Sequence, residues 1–180
     1  IQWFINKQKD ECKRSKDVET SDDYFAEKMN EAYRAYEELC ERESLVDFGE
    51  LLLRTYLLLK SNENVLSHYK KRFRFLLVDE FQDTNEVQYQ FLKLLSEGGG
   101  HIMSVGDDDQ SIYGWRGAKS ENINRFTKDY KNTEIIRLEQ NYRSTSVILG
   151  AANAVIKNNQ GRMGKELWPD PKEGEPISIY

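Results

Sequence analysis

The sequence predicts an α/β fold in which an all-helical subdomain precedes a partial parallel sheet flanked by helices. Apolar residues recur at helical spacing through roughly the first 70 positions, and short apolar runs then alternate with helix-like segments. Strand and helix alternating at this spacing are typical of a parallel sheet. Polar residues follow each predicted strand. This bears on function, because ligands bind beyond the carboxyl ends of parallel strands.

The helical subdomain is predicted from two amphipathic stripes. Residues 25–40 place apolar side chains on one helix face, with acidic side chains opposite. Residues 45–59 repeat the pattern. Asp47 followed by Glu50 resembles a capping box, which predicts that the second helix begins there.

The sheet is predicted from three short apolar runs separated by helices. The first run, Phe73 to Val78, has few polar gaps, which is typical of a strand buried on both faces. Three glycines at 98–100 end the helix that follows it. The expected elements are a strand at 73–78, a helix at 84–96, a strand at 102–105, a helix at 120–130, a strand at 134–138 and a helix at 145–157.

Composition excludes several classes of protein. The formal net charge is −5, so a whole-domain electrostatic grip on nucleic acid is not expected, and any such contact must come from a local groove. No apolar run approaches the roughly 20 residues of a membrane helix, and no secretory signal precedes the first helix. Cys12 and Cys40 are too few for a disulfide framework, so a reducing cytoplasm is expected.

The first motif, at 76–84, is an apolar strand that ends in Asp79 and Glu80. In nucleotide hydrolysis, one such carboxylate can hold Mg²⁺ through water and the other can deprotonate the attacking water. The alternative is a strand that ends at the surface, with Asp83 or Thr84 capping the next helix.

The second motif, at 105–118, combines three adjacent acids with glutamine, aromatic residues and arginine among glycines. Gln110 can bind a phosphate oxygen or a positioned water. Tyr113 and Trp115 offer faces on which bases stack, and Arg116 can pair with a backbone phosphate. The alternatives are an acidic turn before a buried Trp, or a Ca²⁺ loop, although the spaced EF-hand pattern is absent.

The third motif, at 138–145, places Arg143 just after a predicted strand. An arginine there can act on the γ-phosphate of a nucleotide, and Tyr142 could stack on the adenine. The alternative is an Arg143 paired with a carboxylate, with Ser144 or Thr145 capping a helix.

Together, the segments at 78–84, 105–118 and 138–144 resemble motifs II, III and IV of superfamily 1 DNA helicases of the UvrD/Rep/PcrA type, in the same order and at similar spacing. Residues 45–48 resemble the Leu-x-Asp-Phe segment that precedes motif II in that family. The resemblance covers essentially the whole chain. It implies ATP and Mg²⁺ as cofactors, and single-stranded DNA and single/double-strand junctions as partners.

The resemblance also implies a role for each motif residue, toward the nucleotide or toward DNA. Four of them, Asp79, Glu80, Gln110 and Arg143, are expected to converge around the triphosphate. The implied roles are Mg²⁺ coordination for Asp79, general base for Glu80, γ-phosphate sensing for Gln110, γ-phosphate contact for Arg143, adenine contact for Tyr142, and the single-stranded DNA path for Tyr113, Trp115 and Arg116.

The domain organisation that the resemblance implies is a helical accessory domain at 1–69, part of a RecA-like motor domain at 70–140 and the start of a second motor domain at 141–180. The activity implied is ATP-dependent 3′-to-5′ unwinding in DNA repair or replication. Both ends of the chain read as interrupted elements, including a strand-like pattern at 177–180. We therefore expect an internal piece of a longer helicase.

A phosphate-binding loop, G-x-x-x-x-G-K-[ST], does not occur in the sequence, and the segments at 114–120 and 161–166 only approach it. The isolated chain is therefore expected to be inactive as an ATPase, and its incomplete sheet predicts self-association. Two other interpretations stay open. One is a non-catalytic nucleic-acid-binding module, and the other is a helicase that also carries a nuclease domain.

Overall fold

The computed structural model describes residues 1–19, 23–159, 163–170 and 174–178. They belong to two compact units, Ile1–Arg125 and Phe126–Tyr180. The fold is mixed α/β, as the sequence predicts, with helices predominating and short parallel strands in two small sheets. Within the described ranges, none of the helices combines the length and the apolarity that crossing a bilayer requires.

The first unit opens with the predicted helical region. Asp47 caps the third helix, because its carboxylate accepts a hydrogen bond from the Glu50 N–H at 2.7 Å. The Glu50 side chain binds Arg14 instead of completing the expected capping box. The helices are α1 (Gln2–Asp10), α2 (Tyr24–Arg42), α3 (Phe48–Ser61) and α4 (Glu63–Arg72).

A two-stranded parallel sheet follows. Strand β1 (Phe75–Val78) pairs with β2 (His101–Ser104), and helix α5 (Glu86–Ser96) makes the crossover between them. Parallel strands need such a crossover, and its helix packs back onto the sheet. The core between helices and sheet is apolar, with Leu53, Tyr56 and Val87 in one cluster and Leu59, Leu66 and Leu95 in another.

The prediction that the first strand is buried on both faces is wrong. Leu76 packs against the second apolar cluster, but Phe75 and Leu77 on the opposite face are 68% and 78% exposed. Met103 of β2 shares that exposed face at 57%. Among the described residues, helices cover only the side of the sheet that Leu76 faces, so half of the apolar run stays in solvent.

The helices after each strand lie close to their predicted positions. Asn85 caps α5 and forms a full capping box with Gln88, so neither Asp83 nor Thr84 holds that place. Helix α6 (Glu121–Asp129) confirms the prediction at 120–130. Asn, like Asp and Thr, has the short oxygen acceptor that an N-cap requires.

The second unit contains β3 (Gln140–Asn141), α7 (Ser146–Ile156) and β4 (Trp168–Pro169), with β3 and β4 parallel. The helix confirms its prediction, but the strand predicted at 134–138 is wrong. Pairing begins one residue later, where the Trp168 N–H donates to the Glu139 carbonyl. An apolar run becomes a strand only where a partner backbone meets it. Residues 160–162 and 179–180, at the predicted helix end and in the strand-like terminus, lie outside the described residues.

Candidate functional site

The site begins where β1 and β2 end at the same edge of their sheet. Backbone pairing continues beyond both strands, because the Val105 N–H donates to the Val78 carbonyl at 2.8 Å and the Phe81 N–H donates to the Val105 carbonyl at 2.9 Å. These two bonds hold the segment after β1 against the segment after β2. The first and second motifs are therefore neighbours in the fold.

Asp79 and Glu80 stand exposed at this edge. The Asp79 carboxylate accepts a hydrogen bond from the Glu80 N–H at 2.9 Å. Glu80 has a left-handed backbone, with φ 50° and ψ 43°. For a residue with a Cβ this conformation costs about 1–2 kcal/mol, so the surrounding bonds must hold it in place. The turn brings the Glu80 side chain back toward Gln82.

Gln82 lies at the centre of the site and is only 1% exposed. Its Nε2 donates to Glu80 Oε2 at 2.7 Å, and its Oε1 accepts from the Asp107 N–H at 2.9 Å. Sequence reasoning assigned it no role, although it sits inside the first motif. Its partner Asp107 is 25 positions away along the chain, so no local pattern could reveal the contact.

The hydrogen bonds continue into the second motif. Asp107 Oδ2 accepts from Gln110 Nε2 at 2.7 Å, and Asp107 Oδ1 accepts from the Asp109 N–H at 3.1 Å. A continuous path therefore runs from Glu80 through Gln82 and Asp107 to Gln110. The predicted base and the predicted phosphate sensor are joined through protein groups.

Beyond Gln110 the loop presents an aromatic cluster to solvent. Trp115 is 76% exposed and Tyr113 is 38% exposed. The Arg116 guanidinium lies 4.6 Å from the Trp115 ring centroid and 5.3 Å from that of Tyr113. The alternative of a buried Trp is therefore wrong. An exposed indole with an adjoining cation suits stacking against a base beside a phosphate.

The aromatic loop turns back at Gly117 against α1. Gly117 has φ +85°, and a Cβ added there would lie 2.9 Å from Asp10 Oδ2. Asp10 also accepts a hydrogen bond from Asn85 Nδ2 at 2.7 Å. Burial, reinforced by the neighbouring charge of Glu11, raises the pKa of Asp10 to about 6.

After the loop, the chain is fastened to the first motif again. Asn122, 1% exposed, donates from Nδ2 to the Thr84 carbonyl at 3.0 Å, and the Lys119 N–H donates to the same oxygen. Arg125 Nη1 donates to both oxygens of the Glu86 carboxylate, to Oε2 at 2.8 Å and to Oε1 at 2.9 Å. The loop at 106–118 is thus anchored on the first motif at both ends.

Tyr142 and Arg143 belong to the second unit, just after β3. The Tyr142 hydroxyl donates to Gln140 Oε1 at 2.6 Å, and the Arg143 N–H donates to Asn141 Oδ1 at 3.0 Å. Asn141 also accepts from the Ser144 N–H, so it shapes the turn that leads into α7. That these two residues face the same nucleotide as Glu80 stays a prediction.

The site offers oxygen ligands that suit Mg²⁺. Mg²⁺ favours carboxylates and keeps several waters, and the solvent-facing carboxylate of Asp79 fits that preference. The carboxylates of Asp107, Asp108 and Asp109 also approach within 4.8 Å of one another. Both Asp107 oxygens hold the loop itself, so that cluster has a structural use without an ion.

Comparison with known proteins identifies the family of the chain. Residues 1–131 match the model of the UvrD/REP helicase N-terminal domain, and residues 136–180 match that of the UvrD-like helicase C-terminal domain. DNA helicase II of Escherichia coli is 55% identical over 99% of this chain and 25% of its own length. ATP-dependent DNA helicase PcrA of Leuconostoc citreum is 44% identical over 100% of this chain and 24% of its own length.

DNA helicase II of Haemophilus influenzae is 51% identical over 99% of this chain and 24% of its own length. The chain therefore spans about a quarter of the length of the curated relatives it matches. The two family models together account for nearly every residue from 1 to 180. This chain belongs to the UvrD/Rep family of DNA helicases.

Proposed function

We propose that this chain is part of an ATP-dependent DNA helicase that moves 3′ to 5′ along single-stranded DNA and separates duplex strands at junctions, in DNA repair or replication. The observation that carries the proposal is the hydrogen-bonded path from Glu80 to Gln110, which lies in the same loop as the exposed cluster of Trp115 and Arg116. Such a path connects a hydrolytic group with a surface suited to bases.

In this proposal, the helical residues 1–69 form an accessory domain, residues 70–140 form part of a RecA-like motor domain and residues 141–180 begin a second motor domain. Glu80 takes the proton of the attacking water, and Gln110 reports the γ-phosphate to the aromatic loop. Tyr142 and Arg143 contribute adenine and γ-phosphate contacts from the second domain. When bound at Asp79, Mg²⁺ would neutralise developing phosphate charge.

Glu80→Gln tests the catalytic assignment in the full-length protein. The carboxamide preserves size but cannot accept the proton, so ATP turnover on single-stranded DNA should fall by about 10²- to 10⁴-fold with nucleotide affinity retained. Glu97→Gln, at an exposed helix end, is the matched control and should leave turnover unchanged. Full turnover in Glu80→Gln would remove Glu80 from the chemistry.

The 180 residues in isolation are proposed to hydrolyse ATP negligibly, because the sequence contains no phosphate-binding loop. A turnover assay on the chain alone tests this directly, and rates like those of an intact helicase would contradict it. The exposed sheet face of Phe75, Leu77 and Met103 supports the expectation that the isolated chain self-associates, which sedimentation would reveal.

A second function, DNA binding without catalysis, is favoured by the exposed Trp115 and Arg116 alone. The two functions differ in what unwinding by the full-length protein requires. A helicase should lose unwinding with either Glu80→Gln or Trp115→Ala. A binding module should lose DNA affinity with Trp115→Ala and be indifferent to Glu80→Gln.

A further inference from the structure

We propose that Gln82 is a positioning residue that holds the Glu80 carboxylate in place and links it to the loop at 106–118. This inference rests on the proposed function, because it assigns Gln82 a task in the hydrolysis that Glu80 would perform. The burial of Gln82, its two short hydrogen bonds and the fit of Gly106 against it carry the inference.

The chemistry of the side chain suits this task. A glutamine amide has donor hydrogens on Nε2 and an acceptor at Oε1, so it can serve a carboxylate and a backbone N–H at the same time. Gln82 makes this pair of bonds, to Glu80 Oε2 at 2.7 Å and from the Asp107 N–H at 2.9 Å. These partners determine the orientation of the amide. In the flipped orientation, Oε1 would face the Glu80 carboxylate and Nε2 would face the Asp107 N–H, so two acceptors and two donors would be opposed.

Burial restricts the movement of the Gln82 side chain. Gln82 is 1% exposed, so its amide is shielded from water, whereas Glu80 itself faces the solvent. A bond to a charged acceptor is stronger than one between neutral groups. The buried Gln82 amide is therefore a fixed feature beside the Glu80 carboxylate. A shift of the Asp107 backbone would reach Glu80 through that amide.

Gly106 packs closely against Gln82 on the side of the second motif. A Cβ added there would lie 2.8 Å from Gln82 Oε1, 3.3 Å from the Gln82 backbone nitrogen and 3.3 Å from the Phe81 Cβ. The backbone of the second motif thus rests directly on the Gln82 amide. Movement of the loop that bears Trp115 would be transmitted to Gln82 without an intervening gap.

Gln82→Glu in the full-length protein tests the proposal with minimal change in shape. The new carboxylate keeps an acceptor for the Asp107 N–H but loses the donor to Glu80 and places two like charges together. We expect kcat for ATP on single-stranded DNA to fall about 10²-fold, because small misplacements of a reacting group have effects of that size. The KM for ATP and the Kd for single-stranded oligonucleotide should stay within about threefold of wild type at a temperature where the variant is folded, although the buried charge should lower the melting temperature.

Gln90→Glu is the matched control. Gln90 Nε2 donates to Glu86 Oε1 at 2.7 Å, so the substitution removes the same kind of bond and adds the same charge, away from the site. Its kcat should equal that of wild type. Gly106→Ala is a second probe that displaces Gln82 without altering its chemistry, and it should lower kcat as Gln82→Glu does.

Three outcomes would overturn the proposal: wild-type kcat in Gln82→Glu, an equal loss in Gln90→Glu, or a kcat loss accompanied by an equal loss of ATP and oligonucleotide binding. The last would make Gln82 merely structural. Failure of the proposed function is a separate result, since it would show as no DNA-stimulated ATP turnover in the wild-type protein.

Discussion

The helical cluster and the motif loops of the first unit use their charged groups in opposite ways. In the helical cluster, formed by Lys9, Arg14, Glu37, Asp47 and Glu50, the charges are buried or half-buried and paired with each other. The Lys9 side chain is 2% exposed, and its Nζ lies 2.8 Å from Asp47 Oδ2 and 3.2 Å from Glu50 Oε2. In the motif loops, at 79–83 and 106–118, Glu80 and Gln110 face solvent.

The difference separates charges that hold the fold from charges that we propose serve a ligand. Burial alone would raise the pKa of Glu50, but hydrogen bonds and the charge of Arg14, with those of Lys9, hold that pKa below its ordinary value. Glu50 therefore stays ionised and saturated with partners. Glu50 and Glu80 are the same residue type, and the groups around them distinguish the two. Glu50 binds Arg14 and Lys9, whereas Glu80 binds the Gln82 amide.

The largest effect is expected from Glu50→Ala, which leaves Lys9 and Arg14 without their shared carboxylate. Removing one partner of a buried ion network costs about 3–5 kcal/mol in free energy of unfolding. Urea unfolding of the 180-residue chain measures it. Glu80→Ala, which leaves the buried Gln82 Nε2 without its acceptor, is the comparison and should cost only about 1–2 kcal/mol. Equal losses of unfolding free energy in the two variants would contradict the distinction between the helical cluster and the motif loops.

Trp115→Ala should weaken single-stranded DNA binding by the full-length protein about 5- to 150-fold, because one base stack contributes about 1–3 kcal/mol. Its melting temperature should not change, since the indole is 76% exposed. Trp3→Ala is the control, as Trp3 is exposed to a similar degree, 63%, on α1. Fluorescence anisotropy of a labelled oligonucleotide measures the DNA affinity of both variants. Equal losses of affinity in Trp115→Ala and Trp3→Ala would argue against a special role for Trp115.

Asn122→Ala should destabilise the chain by about 1–2 kcal/mol, because it removes a buried donor from the Thr84 carbonyl. The cost is moderate since the Lys119 N–H still reaches that oxygen. Thermal unfolding measures it. Asn124→Ala, an exposed position on the same helix, serves as comparison, and a null effect at Asn122 would mean that the loop is not anchored there.

The smallest effect concerns pH. The folded pKa of Asp10, about 6, lies above its unfolded value of 3.8, so its contribution to stability is full below pH 3.8 and is lost as pH rises through 6. After a discount for solvent screening, Asp10→Asn should stabilise the chain at pH 7.5 by about 1 kcal/mol and have little effect at pH 3.5. A constant difference across that range would contradict the raised pKa.

Local patterns predicted the parts of the fold that local forces decide. Helices α5, α6 and α7 lie within two residues of their expected bounds because periodicity and caps act over a few positions. The strand expected at 134–138 failed because strand formation depends on a distant partner, and β4 meets the chain only from Glu139.

The positions of the candidate residues after the strands were predictable, but their connections were not. Asp79, Glu80, Gln110 and Trp115 follow strands β1 and β2 as expected. Gln82 escaped prediction because its function depends on the position of the Asp107 backbone, which the sheet alone determines. The exposed face of β1 was also unpredictable, since the run of apolar residues looks the same whether or not a second layer covers it.

The left-handed backbone at Glu80 has a consequence for how the site could come apart. Its conformational cost favours relaxation of the turn to ordinary geometry once the Phe81 N–H releases the Val105 carbonyl. The site could then disassemble locally while β1, β2 and their helices remain folded. Hydrogen–deuterium exchange at the Phe81 amide would follow that opening, and ligands that order the two loops should slow it.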